Sequence, residues 1–214
     1  MDQLLRVTEI FYSLQGESNT VGLPTVFIRL TGCPLRCVYC DTAYAFSGGE
    51  KLSLAQITAE TAKYNCRHIT ITGGEPLAQV ACLELMVQLA DADYHVSLET
   101  SGAMDISPVD PRVSVIMDIK TPGSGEVTKN LWQNIGSLKS KDEVKFVLAD
   151  RADYEWAKQI LVEHGLINTC PILLSPVYST LNPSQLAEWV LEDKLPVRMQ
   201  LQLHKILWGE TPGK

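Results

Sequence analysis

The sequence of residues 25–42 is TVFIRLTGCPLRCVYCDT. Its first six residues form an apolar run that predicts a buried strand, so the cysteines that follow would lie on the loop at the C-terminal end of that strand. Cys33, Cys37 and Cys40 are spaced C-x3-C-x2-C, and three thiolates on one short loop suit a soft metal or an iron–sulfur cluster. The motif contains no fourth ligand. A three-cysteine cluster leaves one iron open, which indicates chemistry rather than a purely structural site.

The composition is that of an ordinary globular protein. The chain has 214 residues, of which 45% are hydrophobic and 20% are charged, and no linker divides it, so we expect a single domain over residues 1–214. The net charge of −7 argues against a nucleic-acid partner, which normally meets a basic patch. No signal peptide is visible and no apolar run approaches the roughly 18 residues of a membrane span. We therefore expect no membrane partner and a cytoplasmic, reducing compartment, where the six cysteines are not disulfides.

Strand and helix patterns alternate along the chain, as is typical of βαβ units and a parallel sheet. The strands are mostly apolar, as in a sheet covered on both faces. A complete eight-unit barrel needs about 250 residues, so this shorter chain predicts an α/β fold with an incomplete (β/α)6-type partial TIM barrel. Ser53 and Gln56 form a capping box that opens the first helix. The expected strands are 6–13, 25–30, 68–72, 95–99, 113–118, 143–148, 171–175 and 198–203, and the expected helices are 53–64, 77–90, 152–163 and 183–192.

Polar motifs recur directly after the strands of this predicted sheet. In barrels and open α/β sheets that edge carries the active site. Residues 43–52, which follow the cysteine loop, are expected to be a short connection. The strand-end motifs are Gly73–Pro76, Glu99–Gly102, Asp118–Gly123, Ser175–Tyr178 and the pair His204 and Lys205, which would end the last strand.

Several of these features have a structural alternative. A structural zinc site would normally need four protein ligands, and only one C-x2-C step is present. Arg29 is a charge within an apolar strand, so it pairs either with an internal carboxylate or with a carboxylate-bearing substrate. Thr42 is either a cap or turn residue or an oxygen ligand of Mg²⁺.

The C-x3-C-x2-C loop followed by a Gly-Gly-Glu-Pro turn on the next strand resembles the radical S-adenosylmethionine superfamily, and the fold would be its radical SAM core. Within that superfamily, motifs over almost the whole chain are similar to those of the 7-carboxy-7-deazaguanine synthases. These motifs are SLQGE at 13–17, FIRL at 27–30, CVYCDT at 37–42, ITGGEP at 71–76, LETSG at 98–102 and LQLHK at 201–205.

This resemblance implies an enzyme that converts 6-carboxy-5,6,7,8-tetrahydropterin to 7-carboxy-7-deazaguanine with loss of ammonia, on the pathway to queuosine. It implies a 4Fe–4S cluster on Cys33, Cys37 and Cys40, whose fourth iron binds S-adenosylmethionine. Reduction of this cofactor would give a 5′-deoxyadenosyl radical that takes a hydrogen atom from the pterin. It also implies a homodimer and an electron donor such as flavodoxin or ferredoxin.

The resemblance assigns site residues position by position. Thr42 would bind Mg²⁺. Substrate contacts would come from Leu14, Gln15, Gly16, Arg29 and Thr72. S-adenosylmethionine contacts would come from Tyr39, Cys40, Asp41, Gly74, Ser101, Asp118, Ile119, Lys120, Ser175, Pro176, Val177 and Tyr178.

Two other functions use parts of the same pattern. A glycyl-radical-enzyme activase has the same cysteine spacing, but it acts on a protein and has no role for a Mg²⁺-dependent pterin site. A zinc module without enzymatic activity would be colourless, whereas a 4Fe–4S protein is brown.

Overall fold

A computed structural model describes residues 3–209, 211 and 213. The described residues form nine strands and five α-helices. The strands are β1 (Leu4–Leu14), β2 (Pro24–Leu30), β3 (Glu50–Ser53), β4 (His68–Gly73), β5 (His95–Thr100), β6 (Ser114–Asp118), β7 (Glu143–Leu148), β8 (Ile172–Pro176) and β9 (Arg198–Met199). The helices are α1 (Leu54–Ala62), α2 (Ala81–Asp91), α3 (Arg151–Glu163), α4 (Pro183–Glu192) and α5 (Leu203–Trp208).

All nine strands belong to one sheet, in the order β3-β1-β2-β4-β5-β6-β7-β8-β9. From β2 to β9 every neighbouring pair is parallel, whereas β1 runs antiparallel to both β2 and β3. The ends of this order, β3 and β9, do not pair with each other in the part of the chain that is described. The expectation of an α/β fold with an incomplete barrel is therefore confirmed.

The apolar core lies on one face of the sheet. Alternate strand residues such as Ile28, Ile71, Leu98 and Phe146 are fully buried there and belong to one cluster with residues of α1 to α4. The opposite face carries Thr70, Glu99 and Lys145 among others, and it lines a cavity. The expectation of a sheet that is apolar on both faces is therefore wrong. The second face carries polar side chains that line the cavity, and α1 to α4 do not cover it.

The helix starts follow local capping rules. Ser53 and Gln56 form the expected capping box at α1. Helix α2 begins at Ala81 rather than at residue 77, because Pro76–Ala78 forms a 3-10 turn whose first amide is capped by Glu75. Asp150 and Asn182 cap α3 and α4 by accepting bonds from Asp153 and Ser184.

The chain departs from the expected alternation in three places. Residues 43–52 are more than a connection, since they hold a 3-10 turn and most of β3, which pairs with β1. Residues 101–113 contain no α-helix, and residues 119–142 contain only 3-10 turns.

The last strand also differs from the expectation. The expected strand 198–203 is wrong: β9 ends at Met199, and His204 and Lys205 lie on α5. The physical reason is that Leu203 donates its amide to Gly16 O at 2.9 Å, so the chain leaves the sheet to bond to the loop after β1. No helix of the described residues is long and apolar enough to cross a membrane.

Candidate active site

A cavity of about 570 Å³ opens at the C-terminal ends of the parallel strands. Its walls come from the ends of β2, β4, β5, β6 and β7, from the cysteine loop after β2, from the segment after β8 and from α5. Active sites of α/β barrels lie at this edge because loops from several strands converge there. Polar strand-end residues far apart in sequence therefore share one cavity.

Cys33, Cys37 and Cys40 all line this cavity and are partly buried, and none is in a disulfide. Burial raises the pKa of the Cys33 and Cys37 thiols, with the carboxylates of Glu75 and Asp118 adding to it. The Leu35 amide donates to Cys33 Sγ at 3.4 Å. These thiols keep their protons until a metal displaces them, which is the usual coupling of metal binding and proton release.

The donor set fits an iron–sulfur cluster with an open iron. Among residues 3–209, 211 and 213, no group of three or more His, Cys, Asp or Glu side chains is arranged to hold a single metal ion. A cluster does not need such convergence, because each thiolate binds a different iron. Three soft ligands at the mouth of one cavity therefore match the cluster better than a closed zinc site.

The glycine turn packs directly against the cysteine loop. A Cβ atom on Gly74 would collide with the carbonyl group of Gly32 and the amide of Cys33. The two loops are joined by a hydrogen bond from the Glu75 amide to Gly32 O at 2.7 Å. The fully buried Glu75 carboxylate accepts bonds from Thr100 Oγ1 and from the Ser101 amide and hydroxyl. The ends of β4 and β5 are thereby fastened to the loop that carries the thiols.

A second group of polar side chains lies deeper in the cavity. Gln15 donates to Thr70 Oγ1 at 3.1 Å and to Glu99 Oε1 at 3.2 Å, and Thr72 donates to Glu99 Oε2 at 2.8 Å. Burial, and then the nearby Glu17 carboxylate, raise the pKa of Glu99. Gly16 is in close contact with the His204 ring, where a Cβ would collide. These contacts shape a pocket with several hydrogen-bonding groups.

Arg29 forms the internal ion pair that was one of its two expected environments. Its Nε donates to Glu9 Oε1 at 2.7 Å, and the Tyr44 hydroxyl donates to the same oxygen at 2.8 Å, so the internal ion pair exists. The Arg29 side chain is only 14% exposed and lines the cavity. Its terminal nitrogens make no hydrogen bond within the described part of the chain, which leaves a planar fork that suits a carboxylate.

Four charged side chains form a chain of ion pairs across the cavity. Lys145 Nζ is 2.5 Å from Glu17 Oε2 and 3.7 Å from Asp118 Oδ2, and Lys120 Nζ is 3.0 Å from the latter oxygen. Burial alone would raise the pKa of Glu17, but Lys145 and a bond from Gln202 lower it to about 2. Burial also opposes the charge of Lys145, yet the surrounding carboxylates hold the pKa of Lys145 above its ordinary value.

Most of the residues expected at the site line this one cavity. Three do not: Ile119 is in the apolar core, and Ser175 and Pro176 are buried at the end of β8. The Ser175 hydroxyl has no hydrogen-bond partner among the described residues. The expected residues that line the cavity are Leu14, Gln15, Gly16, Arg29, Cys33, Cys37, Tyr39, Cys40, Asp41, Thr42, Thr72, Gly74, Ser101, Asp118, Lys120, Val177 and Tyr178.

The cavity also contains residues to which the sequence assigned no role. Glu17, Glu99 and His204 lie within the motifs already noted, but Lys145 lies outside all of them. The one signal for Lys145 is that it is a cation inside the apolar strand EVKFVL, as Arg29 is in its own strand.

The geometry agrees with the comparisons with known proteins. The model of the radical SAM superfamily matches residues 27–116, which include the three cysteines and the glycine turn. The crystal structure of QueE from Escherichia coli superimposes with a TM-score of 0.77 at 25% identity, covering 94% of this chain and 95% of that one. The structure of TYW1 with a lysine-pyruvate adduct, at 13% identity and a TM-score of 0.56, shares the fold. The chain is thus a radical S-adenosylmethionine enzyme.

Relatives narrow this class to one family. A 7-carboxy-7-deazaguanine synthase of Chlorobaculum tepidum is 44% identical over 208 residues, which are 96% of this chain and 94% of the relative. One of Koribacter versatilis is 43% identical over 98% of this chain and 100% of the relative. The chain belongs to the 7-carboxy-7-deazaguanine synthase family. Its cofactors are therefore a 4Fe–4S cluster and S-adenosylmethionine.

Proposed function

We propose that this enzyme converts 6-carboxy-5,6,7,8-tetrahydropterin to 7-carboxy-7-deazaguanine with loss of ammonia, as a step of queuosine biosynthesis. The proposal is carried by one cavity that joins the three-thiol loop, the glycine turn and the free fork of Arg29. The names of the relatives support the same reaction. No observation favours a glycyl-radical-enzyme activase.

In this proposal Cys33, Cys37 and Cys40 hold the cluster, and S-adenosylmethionine binds beside it. When bound, the cluster and S-adenosylmethionine supply the one-electron chemistry that removes a hydrogen atom from the substrate. Gly74 lines the cavity and packs against Gly32, where a side chain would not fit, so the glycine turn holds the cluster loop beside the cofactor. Further cofactor contacts are assigned to Tyr39, Asp41, Ser101, Asp118, Lys120, Val177 and Tyr178, all of which line the cavity.

Three of the assigned cofactor residues are buried and do not line the cavity. Ile119, Ser175 and Pro176 are at most 2% exposed or lie within a fully buried strand. We therefore assign them a supporting role: they place the backbone that carries their cavity-lining neighbours. Ile119 donates its amide to Lys145 O at 2.9 Å, which fixes the end of β6 against β7.

The substrate pocket is proposed to lie between Arg29, Thr72 and the segment Leu14–Gly16. Glu9 holds Arg29 by its Nε, so the terminal nitrogens of the guanidinium can bind the substrate carboxylate. Gln15 and Thr72 both bond to Glu99 and are thereby oriented along the pterin.

We assign Mg²⁺ to Thr42. Its hydroxyl is a hard oxygen ligand of the kind that Mg²⁺ prefers, and Mg²⁺ keeps positions for water and substrate. Thr42 Oγ1 lies 3.9 Å from Cys40 Sγ and donates to Asp41 Oδ1 at 3.3 Å. Thr42 would therefore hold the ion at the end of the cluster loop, where the ion would supply positive charge to the site.

The proposal extends to the organisation of the protein. One sheet and one apolar cluster span the described chain, which supports a single domain over residues 1–214. A homodimer, an electron donor such as flavodoxin or ferredoxin, and a cytoplasmic location are part of the same proposal, and six free cysteines are consistent with a reducing compartment.

The test is turnover by the anaerobically reconstituted protein with reductant, S-adenosylmethionine, Mg²⁺ and the carboxytetrahydropterin. We expect a brown protein that forms the deazapurine and ammonia in equal amounts, and no product from the matched Cys37→Ser variant. Cleavage of S-adenosylmethionine without any deazapurine would overturn the substrate assignment.

A further inference from the structure

Lys145 is a largely buried cation on an inner strand of the sheet, and no role has been assigned to it above. It lies on β7, its side chain is 13% exposed, and it faces the cavity rather than the apolar core. A buried ammonium group is costly unless carboxylates pair with it. Lys145 meets two of them, Glu17 and Asp118, which belong to different parts of the site.

Glu17 belongs to a segment that crosses the cavity. We call residues 15–19 the floor segment. At its start Gln15 bonds to Glu99 on β5, and at its end the Asn19 amide donates to Glu143 Oε1 on β7 at 2.9 Å. Glu17, between them, is 7% exposed and accepts from both Lys145 and Gln202. The ion pair therefore fastens the middle of the floor segment to the opposite wall.

Asp118 lies on the other side of Lys145, at the end of β6. Its Oδ2 is 3.7 Å from Lys145 Nζ and 3.0 Å from Lys120 Nζ. Its Oδ1 is buried and has no hydrogen-bond partner within the described residues. A buried acceptor without a donor is unusual in a folded protein and indicates a ligand group that is still to be bound.

We propose that Lys145 is a positioning residue that couples the two halves of the site, by holding the floor segment under the pterin and Asp118 toward S-adenosylmethionine. This inference rests on the proposed function and names a residue of the same site. One ammonium group lies within ion-pair distance of both carboxylates, 2.5 Å from Glu17 and 3.7 Å from Asp118, so displacement of one half of the site changes the charge pairing of the other.

The experiment compares Lys145→Met and Lys145→Arg with the wild-type holoenzyme. The matched control is Lys158→Met, because Lys158 also pairs with two carboxylates, Asp193 at 2.7 Å and Glu155 at 3.0 Å, but on the outer surface. Two quantities are measured: the Kd for the pterin in the unreduced holoenzyme with S-adenosylmethionine present, and the ratio of deazapurine formed to S-adenosylmethionine cleaved. Thermal unfolding is followed in parallel.

For Lys145→Met we expect the Kd to rise and the product ratio to fall by roughly tenfold each, the scale of one charge-assisted hydrogen bond. Lys145→Arg should recover part of both, and Lys158→Met should match the wild type. If Lys145→Met alone does not fold, the double variant Glu17→Gln/Lys145→Met also removes the carboxylate that has lost its partner. We expect this double variant to fold, but its Kd for the pterin and its product ratio should remain as altered as predicted for Lys145→Met.

The proposal is overturned if folded Lys145 variants keep the wild-type Kd and ratio, or if the double variant restores both, since Lys145 would then serve folding alone. These results differ from failure of the proposed function. In that case the wild type and Lys158→Met would also form no deazapurine.

Discussion

Replacing Arg29 with methionine tests whether its guanidinium group binds the carboxylate of the substrate. Glu9 occupies Nε at 2.7 Å, and the terminal nitrogens make no hydrogen bond within the described chain. Methionine keeps an unbranched apolar stem but removes the charge and both terminal donors. We therefore expect Arg29→Met to weaken pterin binding far more than it affects the cleavage of S-adenosylmethionine.

The magnitude follows from the hydrogen bonds that are lost. Bonds to charged groups contribute about 1.5–3 kcal/mol each. The Arg29 side chain is 14% exposed, so water can replace part of the lost bonding. We therefore take about 3 kcal/mol of binding free energy for the two hydrogen bonds of the terminal nitrogens together. At about 1.4 kcal/mol per factor of ten, this loss raises the Kd for the pterin roughly 150-fold. Arg29→Lys keeps the charge and part of the bonding, so about tenfold is expected.

The assay is equilibrium binding of the pterin to the unreduced holoenzyme in the presence of S-adenosylmethionine. Uncoupled formation of 5′-deoxyadenosine measures the cofactor site separately. Glu9→Gln is the matched control, because it removes the carboxylate charge but keeps a side-chain oxygen that can accept from Arg29 Nε. The guanidinium then stays oriented, and the Kd should stay close to that of the wild type. A tetrahydropterin without the 6-carboxylate serves as a second ligand.

The reasoning is refuted if Arg29→Met weakens the ligand without the carboxylate as much as it weakens the substrate. The guanidinium would then shape the cavity without pairing with the carboxylate. An equal loss of pterin binding and cofactor cleavage would lead to the same conclusion.

Three further predictions concern the cluster, the glycine turn and the floor segment. Cys37→Ser should abolish the iron content and the brown colour of the reconstituted protein. Cys66 lies outside the cavity, so Cys66→Ser should keep both. A brown Cys37→Ser protein would show that other residues bind the cluster. Gly74→Ala should weaken S-adenosylmethionine binding and lower Tm, whereas Gly136→Ala meets no atom within 4 Å and should do neither, as titration and calorimetry can check. The pKa of Glu17 is lowered to about 2, so its ionisation stabilises the fold above about pH 4.5 and this contribution disappears as pH falls through 2. Between pH 5 and 2, the free energy of unfolding of the wild type, measured by chemical unfolding, should fall by up to about 3 kcal/mol more than that of Glu17→Gln. An equal fall in both proteins would contradict this prediction.

Local signals determined most of the elements of this fold. The apolar run 25–30, the capping box of Ser53 and Gln56, and the β-branched run at 68–72 each form the expected element. These elements depend on hydrogen bonds and side-chain contacts between residues close in sequence. The spacing of Cys33, Cys37 and Cys40 likewise predicts a metal-binding loop, because a cluster requires several thiolates within one short segment.

The tertiary structure alone decided how the two faces of the sheet are used and how the site is closed. An apolar strand does not show which face meets helices, and here α1 to α4 all cover one face. The end of β9 depends on a bond between Leu203 and Gly16, which no local pattern reports. Lys145 and Glu17 are 128 residues apart in sequence. Their meeting depends on the curvature of the whole sheet, and a buried charge gains its partner only when distant strands assemble around it.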